Sequence, residues 1–89
     1  MAQTYFPNSE LIEFVEAECG NSAHPEGTRY KVSIGNEVWG DGFRLVVKVQ
    51  MQYEKTGLQG RRSPSYPLGT NDYDNVHKAI ERLIKEAVL

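Results

Sequence analysis

The sequence predicts an α+β fold in which two helices pack on one face of an antiparallel sheet of three to four strands, in the order αβββα. The prediction depends on one alternating segment, residues 43–54, and on two amphipathic segments near the ends of the 89-residue chain. Apolar residues occupy every odd position from Phe43 to Tyr53, and most even positions are polar. Since successive side chains of a strand point to opposite faces, this segment predicts a strand with one buried and one solvated face, typical of antiparallel sheets.

Helical spacing of apolar residues predicts the two helices. The first is expected at about residues 9–19, capped by Asn8 or Ser9 and ended by Gly20, with Leu11, Ile12, Phe14, Val15 and Cys19 on its apolar side. The second begins near Asn71 or Asp72. Its apolar stripe contains Tyr73, Val76, Ile80, Leu83, Ile84 and Ala87.

Shorter patterns predict the remaining strands and the core. Residues 28–34 alternate as a strand, Gly35-Asn36 and residues 40–42 indicate turns, and residues 37–39 fit either a short strand or a loop. Residues 61–66 are expected to form an irregular or edge strand, because Pro64 cannot donate to a ladder. The predicted core contains apolar residues of the strands and of both helices. They are Tyr30, Val32, Ile34, Phe43, Leu45, Val47, Val49, Met51 and Tyr53 from the strands, with Leu11, Val15, Val76, Ile80 and Leu83 from the helices.

Length and composition predict a single domain over residues 1–89 that carries no cofactor, because so short a chain has little room for a deep cavity. Apolar residues make up 39% and charged residues 25%, which is ordinary for a folded globular protein. The longest apolar stretch is far below the roughly 20 residues of a membrane span. Residues 1–7 also have neither the basic nor the apolar region of a signal peptide, so we expect a cytoplasmic protein. The single Cys19 excludes an internal disulfide and agrees with a reducing compartment.

The net charge is only −2, but residues 1–27 carry −5 and residues 28–66 carry +4. Four cations fall on the face expected to be solvated, which we call the basic face. Its expected residues are Arg29, Lys31, Ser33, Arg44, Val46, Lys48, Gln50 and Gln52, and Arg61 and Arg62 lie nearby if the last strand pairs alongside. Such a face can bind phosphates or an acidic protein, but it is more often simply the solvated side of an antiparallel sheet. None of the expected positions is aromatic, which disfavours base stacking on single-stranded nucleic acid.

The predicted order of helix, three strands and helix resembles the topology of double-stranded RNA-binding domains. The segment Tyr30 to Gly42 is similar to their strand-turn-strand unit. Those domains carry a basic cluster where their last helix begins, whereas residues 70–75 here read Thr-Asn-Asp-Tyr-Asp-Asn. The resemblance implies nucleic-acid binding through the basic face as an alternative function.

Two aromatic residues are candidate anchors for a protein partner. Trp39 precedes a glycine-rich turn and Tyr66 lies between Pro64 and Pro67. The alternatives are that Trp39 covers the core and that the prolines protect a sheet edge.

No catalytic or metal-binding pattern is present, since His24, His77 and Cys19 are too few and too irregularly spaced for zinc. We therefore expect a non-enzymatic binding or regulatory protein that binds a protein partner or itself, with nucleic acid as the alternative. The candidate binding residues are Arg29, Lys31, Trp39, Arg44, Lys48, Gln50, Arg61, Arg62 and Tyr66.

Overall fold

A computed structural model describes residues 4–20, 23–59 and 63–88, which form a four-stranded antiparallel sheet and a C-terminal helix. The elements are β1 (Thr4–Glu16), β2 (Arg29–Trp39), β3 (Gly42–Tyr53), β4 (Gly57–Gln59) and α1 (Asp72–Val88). The strands follow one another across the sheet in chain order, and α1 packs over β1 and β2. The α+β class and the antiparallel sheet are confirmed.

The helix predicted over residues 9–19 is wrong, because β1 occupies that segment and residues 12–16 pair with β2. Its apolar residues fit helical spacing because they lie on both faces of a strand. Leu11 and Val15 face the core, while Ile12 and Phe14 face away from it. The pairing with β2 and the strand preference of Ile, Val and Phe outweigh the helical pattern. The resemblance to double-stranded RNA-binding domains fails for the same reason, since it requires a helix here.

The strand β2 is longer than predicted and runs through the expected turn at Gly35-Asn36. A Cβ on Gly35 would lie 2.2 Å from the carbonyl oxygen of Phe6, so glycine at this position lets β1 approach β2 closely. Residues 37–39 are strand, and the turn before Gly42 is confirmed.

The last predicted strand, residues 61–66, is only partly testable. Residues 61 and 62 lie outside the described residues, residues 63–66 are not strand, and β4 ends at Gln59. The segment containing Pro64 instead runs as a loop towards α1.

The helix face is the face of the sheet on which α1 packs. Residues directly opposite each other in neighbouring strands share a face, so the strand pairing identifies the residues of the helix face. On it, Tyr30, Val32 and Ile34 of β2 lie opposite Met51, Val49 and Val47 of β3. The buried core comprises Val15, Tyr30, Val32, Ile34, Met51, Val76, Ala79 and Leu83.

Only one end of the helix face is covered. Met51 is buried and Val49 and Tyr53 pack partly against the core, as predicted. Phe43 is 71% exposed, Leu45 68% and Val47 40%, so their predicted burial is wrong. The prediction assumed two helices over this face, and the segment expected to form the first of them is largely part of β1 instead.

Candidate functional site

The uncovered end of the helix face forms an exposed apolar patch, which we define as Phe43, Leu45, Val47, Ile84 and Val88. An open cleft of about 250 Å³ lies between β3 and the last turns of α1, and Ile34, Leu45, Val47, Ile84 and Val88 contribute to its lining. Exposed Phe6 continues the patch, because Phe6, Asn36 and Leu45 are aligned across the three strands. Contiguous exposed apolar surface of this kind marks interaction sites.

The outer side of β3 is the second component of the site. The short β4 pairs only with residues 51–53 of β3. Within the part of the chain that the structure describes, no strand pairs with the outer side of residues 42–50, which we call the open edge. A long exposed edge offers a row of N–H and C=O groups to an incoming strand.

Two cations flank the open edge on the basic face. Arg44 forms an ion pair with Asp41 at 3.1 Å, and Lys48 Nζ lies 2.6 Å from Glu37 Oε2. The hydrogen bond from Lys48 lowers the pKa of Glu37 below its ordinary value. Glu37 belongs to β2 and Asp41 to the turn before β3, so Arg44 and Lys48 are the charged residues that β3 itself contributes to this face. The outermost charged positions of β3 are therefore positive.

Six of the predicted binding residues share the basic face: Arg29, Lys31, Trp39, Arg44, Lys48 and Gln50. Contrary to the prediction, this face contains aromatic rings. Arg29 lies over Phe14 at 3.9 Å, Arg44 over Trp39 at 4.6 Å and Lys48 over Tyr5 at 5.1 Å. Both Tyr5 and Phe14 belong to β1. Phe14 lies in the segment predicted as a helix, and Tyr5 precedes it in a segment for which no element is predicted.

Tyr66 lies apart from these residues. It stacks on Tyr30 with ring centroids 5.3 Å apart and contacts Tyr73 edge-on, and burial raises its pKa. Trp39 remains exposed, and its indole N–H donates to Glu37. Arg61 and Arg62 lie outside the described residues.

Sequence reasoning missed a buried polar cluster around Asp72, the first residue of α1. Its Oδ2 accepts a 2.7 Å hydrogen bond from the Tyr30 hydroxyl, and its Oδ1 accepts one of 2.9 Å from the Glu18 amide. The Tyr30 hydroxyl also lies 2.7 Å from the Ser65 carbonyl oxygen, so its one proton is shared between two acceptors, and the same carbonyl accepts a bond from His24 Nε2. The cluster joins β2 to the segment after β1, the loop before α1 and α1 itself. The buried residues of α1 are Asp72, Val76, Ala79 and Leu83. The Asp72 carboxylate therefore lies on the same side of the helix as the three apolar residues.

We expect alkaline pH to destabilise the protein through Tyr30. Burial and the Asp72 carboxylate raise the pKa of Tyr30 far above its ordinary value of about 10. Above that pH the unfolded chain loses this proton while the folded protein retains it, so the free energy of unfolding falls as pH rises. Tyr30→Phe should cost about 1–3 kcal/mol at neutral pH, because Asp72 Oδ2 loses its donor. It should also reduce the alkaline loss.

Urea unfolding of both proteins between about pH 8 and pH 11 measures this effect. Tyr5 and Tyr66, whose pKa values burial also raises, are retained in the variant and account for the remaining slope. Parallel stability curves for the parent and Tyr30→Phe would contradict the assignment.

Comparison of this chain with known protein families, curated proteins and solved structures found no match. Among the described residues, no helix is long and apolar enough to span a membrane. Nor does any group of three or more His, Cys, Asp and Glu side chains within residues 4–20, 23–59 and 63–88 have a placement that would hold a metal ion.

Proposed function

We propose that this chain is a small, non-catalytic, cytoplasmic binding protein that takes up an extended segment of a protein partner along the open edge. The observation that carries the proposal is that the open edge and the apolar patch overlap, because Phe43, Leu45 and Val47 belong to both. A strand added beside β3 forms main-chain hydrogen bonds and places every second side chain against this patch. The single free Cys19 is compatible with a reducing compartment.

Binding in this way covers apolar surface that the free protein leaves in water. Full burial of a large apolar side chain contributes about 1.5–3 kcal/mol. Association itself costs at least about 4 kcal/mol. Covering three such side chains on β3, together with the partner's own, supports a reversible interaction.

Selection from a random displayed peptide library tests the proposal. Enriched peptides should bind the parent protein and Leu68→Asp alike, but bind Leu45→Asp at least about tenfold more weakly, a loss of about 1.4 kcal/mol. Leu68 is the matched control, because it is a fully exposed leucine outside the sheet. Bound peptide should also slow hydrogen exchange of alternate amides in residues 42–50, because new ladder bonds form there.

The selection contradicts the proposal if no peptide is enriched. It does so equally if the enriched peptides tolerate Leu45→Asp, or if they protect amides outside residues 42–50 instead.

Nucleic-acid binding through the basic face is the second candidate, and the three cation–aromatic pairs favour it. Aromatic rings beside cations are typical of sites where bases stack. Glu37 and Asp41 offset part of the positive charge, which places this candidate second. A titration of labelled single-stranded and duplex oligonucleotides at low salt should detect binding that Arg29→Glu with Lys31→Glu abolishes and Leu45→Asp does not. Absence of binding at low salt eliminates this candidate.

A further inference from the structure

We infer that the segment bound along the open edge alternates apolar with acidic residues. This inference rests on the proposed function and specifies the chemistry of the partner. It follows from the side chains of β3, which are apolar on the helix face and include two cations on the basic face. Both sets belong to the strand that forms the open edge.

The geometry of strand pairing determines what each partner residue meets. Directly opposite residues of antiparallel strands have Cβ atoms about 4.5–5.5 Å apart. Partner residues on the helix face therefore meet Phe43, Leu45 and Val47, and those on the basic face meet Arg44 or Lys48. In the free protein Lys48 pairs with Glu37 and lies over the Tyr5 ring, and Arg44 pairs with Asp41. Ion pairs near the surface contribute at most about 1 kcal/mol, so a partner carboxylate replaces these acids when the two long side chains turn towards the added strand.

The same cations disfavour a second copy of this chain as the occupant. Pairing of two open edges must stop before Met51, because β4 pairs from that residue onwards. An antiparallel pair centred on Val46 places Arg44 opposite Lys48 of the second copy, twice. Centring it on Leu45 instead brings the two Arg44 residues into diagonal positions, and a parallel pair in register aligns each cation with itself. Like charges across strands are destabilising, and charged residues on edge strands prevent self-association in this way.

The acidic strand β1 of a second copy also fails to match the open edge. An acidic set that faces Arg44 and Lys48 requires carboxylates at every second position on one face of the strand. In β1, Glu13 and Glu16 lie on opposite faces. A separate acidic and apolar segment is therefore the better occupant.

Three synthetic peptides test the inference, each as long as the open edge and each carrying apolar residues at alternate positions. The intervening positions are Glu, Ser or Lys. The Glu peptide should bind roughly 2- to 30-fold more tightly than the Ser peptide at low salt, as two opposite-charge cross-strand pairs imply. The Lys peptide should bind more weakly than the Ser peptide, and the differences should shrink at about 0.5 M salt.

Matched variants locate the charge effect. Arg44→Gln with Lys48→Gln should abolish the preference for Glu over Ser, whereas Arg29→Gln with Lys31→Gln, the same exchanges on β2, should preserve it. Equal binding of the Glu and Ser peptides overturns the inference while leaving strand addition intact. Loss of the preference in Arg29→Gln with Lys31→Gln also overturns the inference.

Two further outcomes decide separate questions. If none of the three peptides binds with protection of residues 42–50, the proposed function itself fails. Sedimentation equilibrium showing a dimer that Leu45→Asp dissociates would assign the open edge to a second copy and overturn the inference of an acidic partner.

Discussion

Val32→Asp should unfold the protein, whereas Leu45→Asp should leave it folded with nearly the same stability. Both residues lie on the helix face, so alternation alone places them in one class. Val32 is fully buried beneath α1, and an unpaired carboxylate there costs several kcal/mol. A domain of this size has a total stability of about 5–10 kcal/mol. Leu45 is mostly exposed, and exposed substitutions usually change stability by no more than about 0.5 kcal/mol.

Circular dichroism and thermal unfolding of the two variants measure this difference. Leu45→Asp should show the parent's spectrum and a melting temperature within a few degrees of it. Unfolding of both variants would mean that the apolar patch is covered in solution, and would contradict the site as described.

The second large effect is expected at Asp72. Asp72→Ala removes one acceptor of the Tyr30 hydroxyl and the acceptor of the Glu18 amide, and it removes a negative charge from the first turn of α1. The Glu18 amide loses its partner while the Tyr30 hydroxyl keeps the Ser65 carbonyl, so the loss should be about 1–3 kcal/mol. Asp72→Asn should cost less, because its carboxamide oxygen still accepts one of the two bonds.

Asp74→Ala is the control for this experiment. Asp74 lies in the same turn, but it is exposed and its ion pair with Lys78 is a surface pair worth at most about 1 kcal/mol. Urea unfolding of the three variants should rank Asp72→Ala as the least stable. Equal stabilities for Asp72→Ala and Asp74→Ala would show that the buried cluster contributes nothing of its own.

The elements predicted most accurately, β3 and α1, each have one apolar and one polar side. Alternation located β3 to within about a residue at each end, and the helical stripe located α1. In both, hydrophobicity follows the period of the local structure, which is the condition under which a sequence pattern is informative. The positions of Arg29, Lys31, Arg44 and Lys48 on one face follow from the same alternation.

The rest depended on contacts between distant segments. The strand β1 is apolar on both sides, since Phe14 lies beneath the Arg29 guanidinium on the face expected to be polar. Local sequence cannot distinguish that pattern from a helix. The open edge could not be predicted because it exists only if β4 is short. The apolar patch could not be predicted because it depends on α1 covering only part of the sheet.

The order in which these elements leave the ribosome limits when folding can finish. The helix face is formed by β1, β2 and β3, but α1, which covers it, is synthesised after them. Asp72 of α1 accepts a hydrogen bond from the backbone amide of Glu18, and the two residues are 54 positions apart in the sequence. Closure of so long a loop has a higher entropic cost than formation of the β2–β3 hairpin, so the hairpin is favoured to form first. Until α1 docks, the nascent sheet exposes both Val32 and the open edge, and chaperone binding during translation is expected to have its greatest effect in that interval.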